Sequence, residues 1–126
     1  MKLYNAKDIL NIAIAGHSGA GKTSIAEAML YLSGATDRFG KVGEGNTVCD
    51  YDPEEIRRKT TVSAAIAPLE WRNHKINLLD APGLFDFEGA MCEAVRAADS
   101  VLIAVSGKRP YMGNTCPVPV ENGHLI

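Results

Sequence analysis

The hydrophobic pattern along the chain predicts strands and helices in alternation. Residues 9–15 form a nearly continuous apolar run, which is typical of a strand buried in a parallel sheet. Apolar residues then recur at helical spacing over residues 25–30, until Ser33 and Gly34 end the pattern. The start of the chain therefore predicts a buried strand followed by a helix.

The middle of the chain predicts a long loop followed by a hairpin. Residues 35–59 show no period, and a loop this long in a compact domain is more often functional than structural, with a solvated insertion as the alternative. Small and β-branched residues at 61–66 predict a strand, which Pro68 assigns to a sheet edge. A turn at residues 72–74 leads into the apolar residues 75–79, so we expect these two strands to pair.

The last patterned segments complete the predicted fold. Residues 85–98 carry one apolar helical face, and residues 100–105 are apolar enough for another buried parallel strand. The predicted class is α/β, a sandwich around a mostly parallel sheet of about four strands and two main helices. Residues 108–126 hold three of the six prolines without any period, so we expect a disordered tail there and a structured unit over residues 1–107.

Composition limits the classes of partner. The chain has 126 residues, a formal net charge of −2 and 46% hydrophobic residues, which describes one small globular domain. This charge balance gives no electrostatic reason to expect nucleic acid or an acidic membrane as a partner. Three cysteines without metal-type spacing predict free thiols in a reducing cytoplasm, and no segment resembles a signal peptide or a membrane span.

The segment between the first strand and the first helix has the pattern of a phosphate-binding loop, Gly, four residues, Gly-Lys-Thr. Its glycines allow a tight turn with N–H groups directed at phosphate oxygens, and the following helix adds its dipole. Lys22 would put a positive charge on the outer phosphates, and the Thr23 hydroxyl would bind Mg²⁺. The predicted phosphate site consists of Gly16, His17, Ser18, Gly19, Ala20, Gly21, Lys22, Thr23 and Ser24.

A second motif follows the strand at residues 75–79. It reads Asp80-Ala81-Pro82-Gly83, an Asp-x-x-Gly sequence. A carboxylate at the carboxyl end of a central strand can hold Mg²⁺ directly or through water, and Gly83 can offer its N–H to the terminal phosphate. Asp-x-x-Gly alone is usually a turn, but roughly sixty residues after a phosphate-binding loop it indicates a second part of the nucleotide site.

Three stretches, residues 15–24, 27–34 and 80–87, resemble the N-terminal part of the GTP-binding domain of translational GTPases. The similarity is to elongation factor G and elongation-factor-G-like proteins and covers about residues 9–108. The resemblance implies the N-terminal part of a translational-type GTP-binding domain over residues 1–107, with GTP or GDP as ligand and Mg²⁺ as cofactor. It also implies GTPase activity and the ribosome as a partner.

The same resemblance assigns further residues. Aligning residues 57–64 with the Glu-Arg-Gly-Ile-Thr-Ile stretch of the family puts the Mg²⁺-binding threonine of the switch loop at Thr60. The implied metal set is therefore Thr23, Thr60 and Asp80. The catalytic histidine of the family is replaced by Leu84, which cannot orient a water through hydrogen bonds, so no catalytic residue is assigned.

Two further departures weaken the implied activity. The family often has Asp at the position of Gly19, where that carboxylate is thought to help hold a monovalent cation. The chain contains no Asn-Lys-x-Asp, the motif that binds the guanine edge. We therefore expect phosphate binding with impaired GTP hydrolysis and leave open whether the chain is an enzyme. The alternatives are an ATP-binding phosphate-loop protein of another class and a non-catalytic gene remnant.

Overall fold

A four-stranded sheet with helices on both faces forms the fold of residues 3–107, the part of the chain that the computed structural model describes. This arrangement confirms the predicted α/β class. In chain order the elements are β1 (Ile9–Gly16), α1 (Lys22–Leu32), α2 (Pro53–Arg58), β2 (Ala65–Trp71), β3 (His74–Asp80), α3 (Glu88–Ala97) and β4 (Ser100–Ala104). Short 3₁₀ turns lie at Ala6–Asp8, Val42–Glu44 and Phe85–Phe87. The predicted tail at residues 108–126 lies outside the described residues.

The strand order is β2-β3-β1-β4, so β1 is central and is flanked by two parallel strands. Ile14 is in register with Asp80 of β3, and Gly16 is in register with Ala104 of β4. The carboxyl ends of the three parallel strands therefore meet at one edge of the sheet. Ligands of open α/β sheets bind at this edge, and the loop after β1 lies beside Asp80 there.

Apolar layers on the two faces of the sheet hold the helices. Ile14 and Leu78 pack with Leu30 of α1 on one face, and Ala13 packs with Ala94 of α3 on the other. Neighbouring residues of β1 thus point into opposite layers, and both layers exclude water. This explains why the sequence of β1 is a continuous apolar run and does not alternate with polar residues.

The hairpin confirms one prediction and corrects another. β2 and β3 pair antiparallel, and β2 lies at the edge of the sheet, as Pro68 indicated. Arg72 and Asn73 have φ of 47° and 65°, the left-handed values of a tight two-residue turn. However, β2 begins at Ala65 and reaches Trp71, so the prediction of a strand at residues 61–66 was wrong in its bounds. The residues directly before Ala65 instead form hydrogen bonds with the segment between α1 and β2.

The segment that showed no hydrophobic period contains the short helix α2. Asp52 caps this helix, Pro53 is its first residue, and Glu55 completes a capping box with Asp52. This pattern of caps was visible in the sequence, but six residues are too few to produce a hydrophobic period. No helix within residues 3–107 combines the length and the apolar character that crossing a membrane requires.

The alternation of β2 gives a matched test of the core. Leu69 is 5% exposed and Ile66 on the same strand is 68% exposed. We expect Leu69→Ala to lower the free energy of unfolding by about 2–5 kcal/mol, because it removes a buried side chain and leaves a cavity. Ile66→Ala should cost less than about 1 kcal/mol. Denaturant unfolding of both variants measures this, and equal losses would contradict the sheet faces described here.

Candidate nucleotide-binding site

The loop between β1 and α1 has the backbone that a phosphate cradle requires. Gly19 and Gly21 have φ of 78° and 93°, which residues with side chains rarely adopt. Gly16 has φ of 143°, and a Cβ there would meet the carbonyl group of Ala104 on β4. Helix α1 begins at Lys22, directly after the loop, so the free N–H groups of its first turn face the inside of the loop.

Lys22 lies across this loop. It is 6% exposed, and its Nζ donates a hydrogen bond to the carbonyl oxygen of His17 at 3.2 Å. Burial lowers the pKa of Lys22, and the negative charges of Asp80 and Asp50 partly offset that effect. An ammonium group that is held by few protein acceptors in a cleft is available to an anion.

Thr23 joins the two predicted motifs. Its hydroxyl donates to Asp80 Oδ2 at 2.7 Å and lies 3.2 Å from the hydroxyl of Thr61. Asp80 is fully buried, and its other oxygen, Oδ1, has no hydrogen-bond partner within residues 3–107. Two hydroxyls and an unpartnered carboxylate oxygen are hard oxygen donors of the kind that Mg²⁺ prefers, so these residues fit the implied metal.

Burial raises the pKa of Asp80 to about 6. The hydrogen bond from Thr23 and the charge of Lys22 lower this pKa, whereas the negative charges of Asp50 and Glu55 raise it further. A carboxylate that is costly to keep ionised in an apolar site gains from a nearby cation.

Asp50 is a site residue that the sequence reasoning missed. It is 4% exposed, and its carboxylate accepts hydrogen bonds from Thr61 at 2.8 Å and Thr47 at 3.5 Å. Burial raises its pKa, and the hydrogen bonds from the two threonines oppose that shift. The only signal in the sequence was its position in the acidic cluster of a long loop, which does not separate it from the acids beside it.

The structure brings Thr61, not Thr60, into contact with Thr23. Thr61 is 6% exposed, and its hydroxyl lies between Thr23 and Asp50. The Thr60 hydroxyl instead donates to the carbonyl oxygen of Arg58 at 3.3 Å. The chain bends at Thr60, after Lys59 with its left-handed φ of 53°, and the hydroxyls of the two threonines have different partners.

The Asp-x-x-Gly segment contacts the phosphate loop through Gly83. Its carbonyl oxygen accepts a hydrogen bond from the N–H of Ser18 at 3.1 Å, and a Cβ at this position would collide with Lys22 Nζ. The N–H of Ala81 donates to the carbonyl oxygen of Ile14 at 3.2 Å, which extends the pairing of β3 with β1. Leu84, which follows the motif, is 39% exposed.

An open cavity of about 210 Å³ lies over these groups. The predicted site residues that line it are Ser18, Gly19, Gly21, Lys22, Thr23, Ser24, Thr60 and Gly83. The other lining residues come from the segment between α1 and β2 and are Val42, Asp50, Lys59 and Thr61. The cavity lining does not include the remaining predicted residues, namely Gly16, His17, Ala20, Asp80, Ala81 and Pro82. Of these, the His17 side chain is exposed, with Nδ1 2.6 Å from the carbonyl oxygen of Ser18.

Comparison with known proteins identifies the family. Residues 7–119 match the family model described as the elongation factor Tu GTP binding domain. The chain belongs to this family. Two relatives are the mitochondrial ribosome-releasing factor 2 of Scheffersomyces stipitis, 44% identical over 97 residues, and the elongation factor G-like protein of Mycobacterium tuberculosis, 42% identical over 98 residues. These alignments cover 77% and 78% of this chain but 12% and 14% of the relatives.

Solved structures agree with this assignment. A crystal structure of a Thermus thermophilus protein matches with a TM-score of 0.77 and 49% identity over 79% of this chain and 15% of that one. A bacterial selenocysteine-specific elongation factor has the same fold at 21% identity, with a TM-score of 0.57 over 76% of this chain and 14% of its own. The resemblance to elongation-factor-G-like proteins is thus confirmed, and the chain spans about a seventh of the length of the proteins that it matches.

The raised pKa of Asp80 predicts a pH dependence of stability. Without nucleotide and Mg²⁺, folded Asp80 binds its proton up to pH about 6, whereas the unfolded residue releases it near pH 4. Stability from this residue therefore falls as the pH rises from about 4 to 6 and is constant above, a loss of about 2–3 kcal/mol. Asp80→Asn should remove this component, whereas Asp86→Asn at an exposed position should not. Denaturant unfolding at pH 4 to 7 measures it, and parallel curves for wild type and Asp80→Asn would contradict it.

Proposed function

We propose that this chain binds the phosphate groups of a guanine nucleotide together with Mg²⁺, as part of a translational-type GTP-binding domain. The observation that carries the proposal is the meeting of Lys22, Thr23 and Asp80 at the mouth of the glycine loop, with the Thr23 hydroxyl 2.7 Å from Asp80. Burying a charged group costs free energy, so an ordinary glycine-rich turn is not expected to have a buried lysine and a buried carboxylate beside a helix N-terminus. Membership of the elongation factor Tu GTP binding domain family supports GTP or GDP as the ligand, although the chain has no Asn-Lys-x-Asp with which to distinguish guanine from adenine.

Each residue has a separate role in this proposal. The N–H groups of residues 16–24 and the Lys22 ammonium bind and orient the phosphates, and the positive end of the α1 dipole adds to their field. Thr23, Asp80 and one threonine of the long loop hold Mg²⁺. When bound, this ion neutralises phosphate charge. We assign the loop ligand to Thr61, because its hydroxyl is the one within 3.2 Å of Thr23.

We further propose that this chain hydrolyses GTP slowly. Leu84 follows the Asp-x-x-Gly motif, where the resemblance implies a catalytic histidine, and an aliphatic side chain cannot orient the attacking water through hydrogen bonds. A positioned acid–base group typically contributes about 10²–10⁴-fold in rate. The names of the relatives support a role in translation with the ribosome as partner, but they do not favour the cytoplasm as location, because one of these relatives is mitochondrial.

Phosphate binding should depend on Lys22. We expect Lys22→Ala to weaken binding of a fluorescent GTP analogue at least about 10-fold, because a charge-assisted hydrogen bond contributes about 1.5–3 kcal/mol. The control is Lys41→Ala, since Lys41 is exposed and forms a surface ion pair with Glu44 at 3.4 Å. The chain lacks Asn-Lys-x-Asp, so ATP should compete almost as well as GTP. Unchanged affinity in Lys22→Ala would mean that the loop is not the binding site.

The two adjacent threonines provide a test of the metal site. Thr61→Ala should raise the Mg²⁺ concentration needed for half-maximal binding of a non-hydrolysable GTP analogue by at least about 10-fold. Thr60→Ala should leave it within about twofold, because the Thr61 hydroxyl lies beside Thr23 whereas the Thr60 hydroxyl donates to the Arg58 carbonyl oxygen. Fluorescence titrations with MgCl₂ measure both values. The reverse ranking would assign the ligand to Thr60.

Hydrolysis should stay near the uncatalysed rate in wild type and in Leu84→His. A histidine can orient water, but the chain has no Asn-Lys-x-Asp to bind the base, so we expect the reacting phosphate not to be fixed in one position. Release of inorganic phosphate from GTP, with and without ribosomes, measures the turnover. Strong ribosome-stimulated turnover by Leu84→His would identify Leu84 as the sole cause of slow hydrolysis.

A further inference from the structure

The buried glutamate Glu55 holds the segment that follows Thr61. Glu55 lies in α2 and is 1% exposed. Its Oε1 accepts hydrogen bonds from the N–H of Val62 at 2.9 Å, the N–H of Ser63 at 3.1 Å and the Ser63 hydroxyl at 3.3 Å. One carboxylate oxygen therefore binds three donors in two consecutive residues.

The second oxygen of the same carboxylate faces the start of α2. Glu55 Oε2 accepts from the N–H of Asp52 at 3.3 Å, while the Asp52 side chain accepts from the N–H of Glu54 at 2.8 Å. The capping box of the helix consists of the bond from the Asp52 N–H to Glu55 and the reciprocal bond from the Glu55 N–H to the Asp52 side chain. Glu55 thus connects the N-terminus of α2 to the chain directly beyond Thr61.

These contacts restrict Thr61 itself. The N–H of Val62 belongs to the peptide unit between Thr61 and Val62, so holding it limits the rotation of Thr61 about ψ. Asp50 fixes the Thr61 hydroxyl from the other side at 2.8 Å. The result is that the Thr61 hydroxyl lies 3.2 Å from the hydroxyl of Thr23.

Glu54 gives a contrast in the same helix. Its carboxylate is accessible to solvent and pairs with the guanidinium groups of Arg57 and Arg58. Within residues 3–107 the hydrogen-bond donors to Glu55 are the N–H of Asp52 and the donors of Val62 and Ser63, none of which is a cation. A buried carboxylate without a cationic partner is costly, and its donors here all belong to the loop.

We propose that Glu55 is a positioning residue that holds Thr61 in place for Mg²⁺. It does not touch the metal or the nucleotide. This role rests on the proposed function, because it acts through the Mg²⁺ ligand assigned above. Outer residues that orient a metal ligand commonly change metal affinity about 10–100-fold when they are removed.

The test measures the Mg²⁺ dependence of binding. A fluorescent, non-hydrolysable GTP analogue is titrated in EDTA and at increasing MgCl₂ with wild type, Glu55→Ala, Glu55→Gln and the control Glu54→Ala. We expect Glu55→Ala to raise the half-maximal Mg²⁺ concentration about 10-fold and to leave the affinity in EDTA within twofold. Glu55→Gln keeps an oxygen acceptor for Val62 and Ser63 and should recover most of the effect. Glu54→Ala should behave as wild type. Equal weakening of Glu55→Ala with and without Mg²⁺ would indicate a merely structural role and overturn the proposal.

A double-mutant cycle tests whether Glu55 acts through Thr61. In the Thr61→Ala background, Glu55→Ala should add less than about a twofold change, because the group that it positions is already absent. A full change of about 10-fold in that background would overturn the positioning role.

Hydrogen exchange separates this proposal from the proposed function. In the nucleotide-free protein, Glu55→Ala should increase the exchange rates of the Val62 and Ser63 amides at least about 10-fold relative to those of α1. Unchanged rates overturn the positioning role whatever the nucleotide data show. A wild-type chain that fails to bind the GTP analogue while these amides respond overturns the proposed function, and with it the role of Glu55 toward Mg²⁺, but not its hold on the Thr61 segment.

Discussion

The hydrogen bond from Thr23 to Asp80, 2.7 Å long and buried, ties together the two halves of the candidate site. It depends on the parallel pairing of β1 with β3, which puts Ile14 opposite Asp80 and so brings the last residue of β3 beneath the start of α1. A slip of one residue would turn Asp80 towards the opposite face of the sheet. The apolar layers on both faces hold this register, so the packing of the core determines the geometry of the site.

The long loop owes its position to buried acids. Glu27 of α1 is fully buried and accepts the N–H of Val48 at 2.5 Å, and a Cβ at Gly40 would collide with its other oxygen. Asp50 then accepts a hydrogen bond from the Thr61 hydroxyl, and Glu55 holds the chain directly beyond Thr61. Each carboxylate is bound by backbone N–H groups or hydroxyls of the loop. These buried carboxylates order a segment that has few apolar residues to bury. A buried carboxylate without donors would cost several kcal/mol, on the order of the stability of a small domain, so the segment stays where it supplies the donors.

This arrangement bears on how nucleotide binding would affect the loop. Asp80 has an unpartnered oxygen within the described part of the chain and a pKa raised to about 6, and Asp50 has a raised pKa from burial as well. Two carboxylates that are costly to ionise lie beside the threonines proposed as metal ligands. A divalent cation would relieve this cost, so the ion and the ordered loop would stabilise each other.

The sequence by itself determined the strand–loop–helix unit, the edge position of β2, the hairpin and the two motifs at the ends of β1 and β3. These features depend on local rules: apolar period, turn residues and glycine positions. Only the tertiary structure decided which threonine faces Thr23, because Thr60 and Thr61 differ in side-chain direction and not in chemistry. It also decided which acids are buried. Glu54 and Glu55 are adjacent in sequence, yet one reaches solvent and pairs with two arginines while the other is buried and accepts the N–H groups of Val62 and Ser63, because the path of the chain after α2 decides which of the two faces inward.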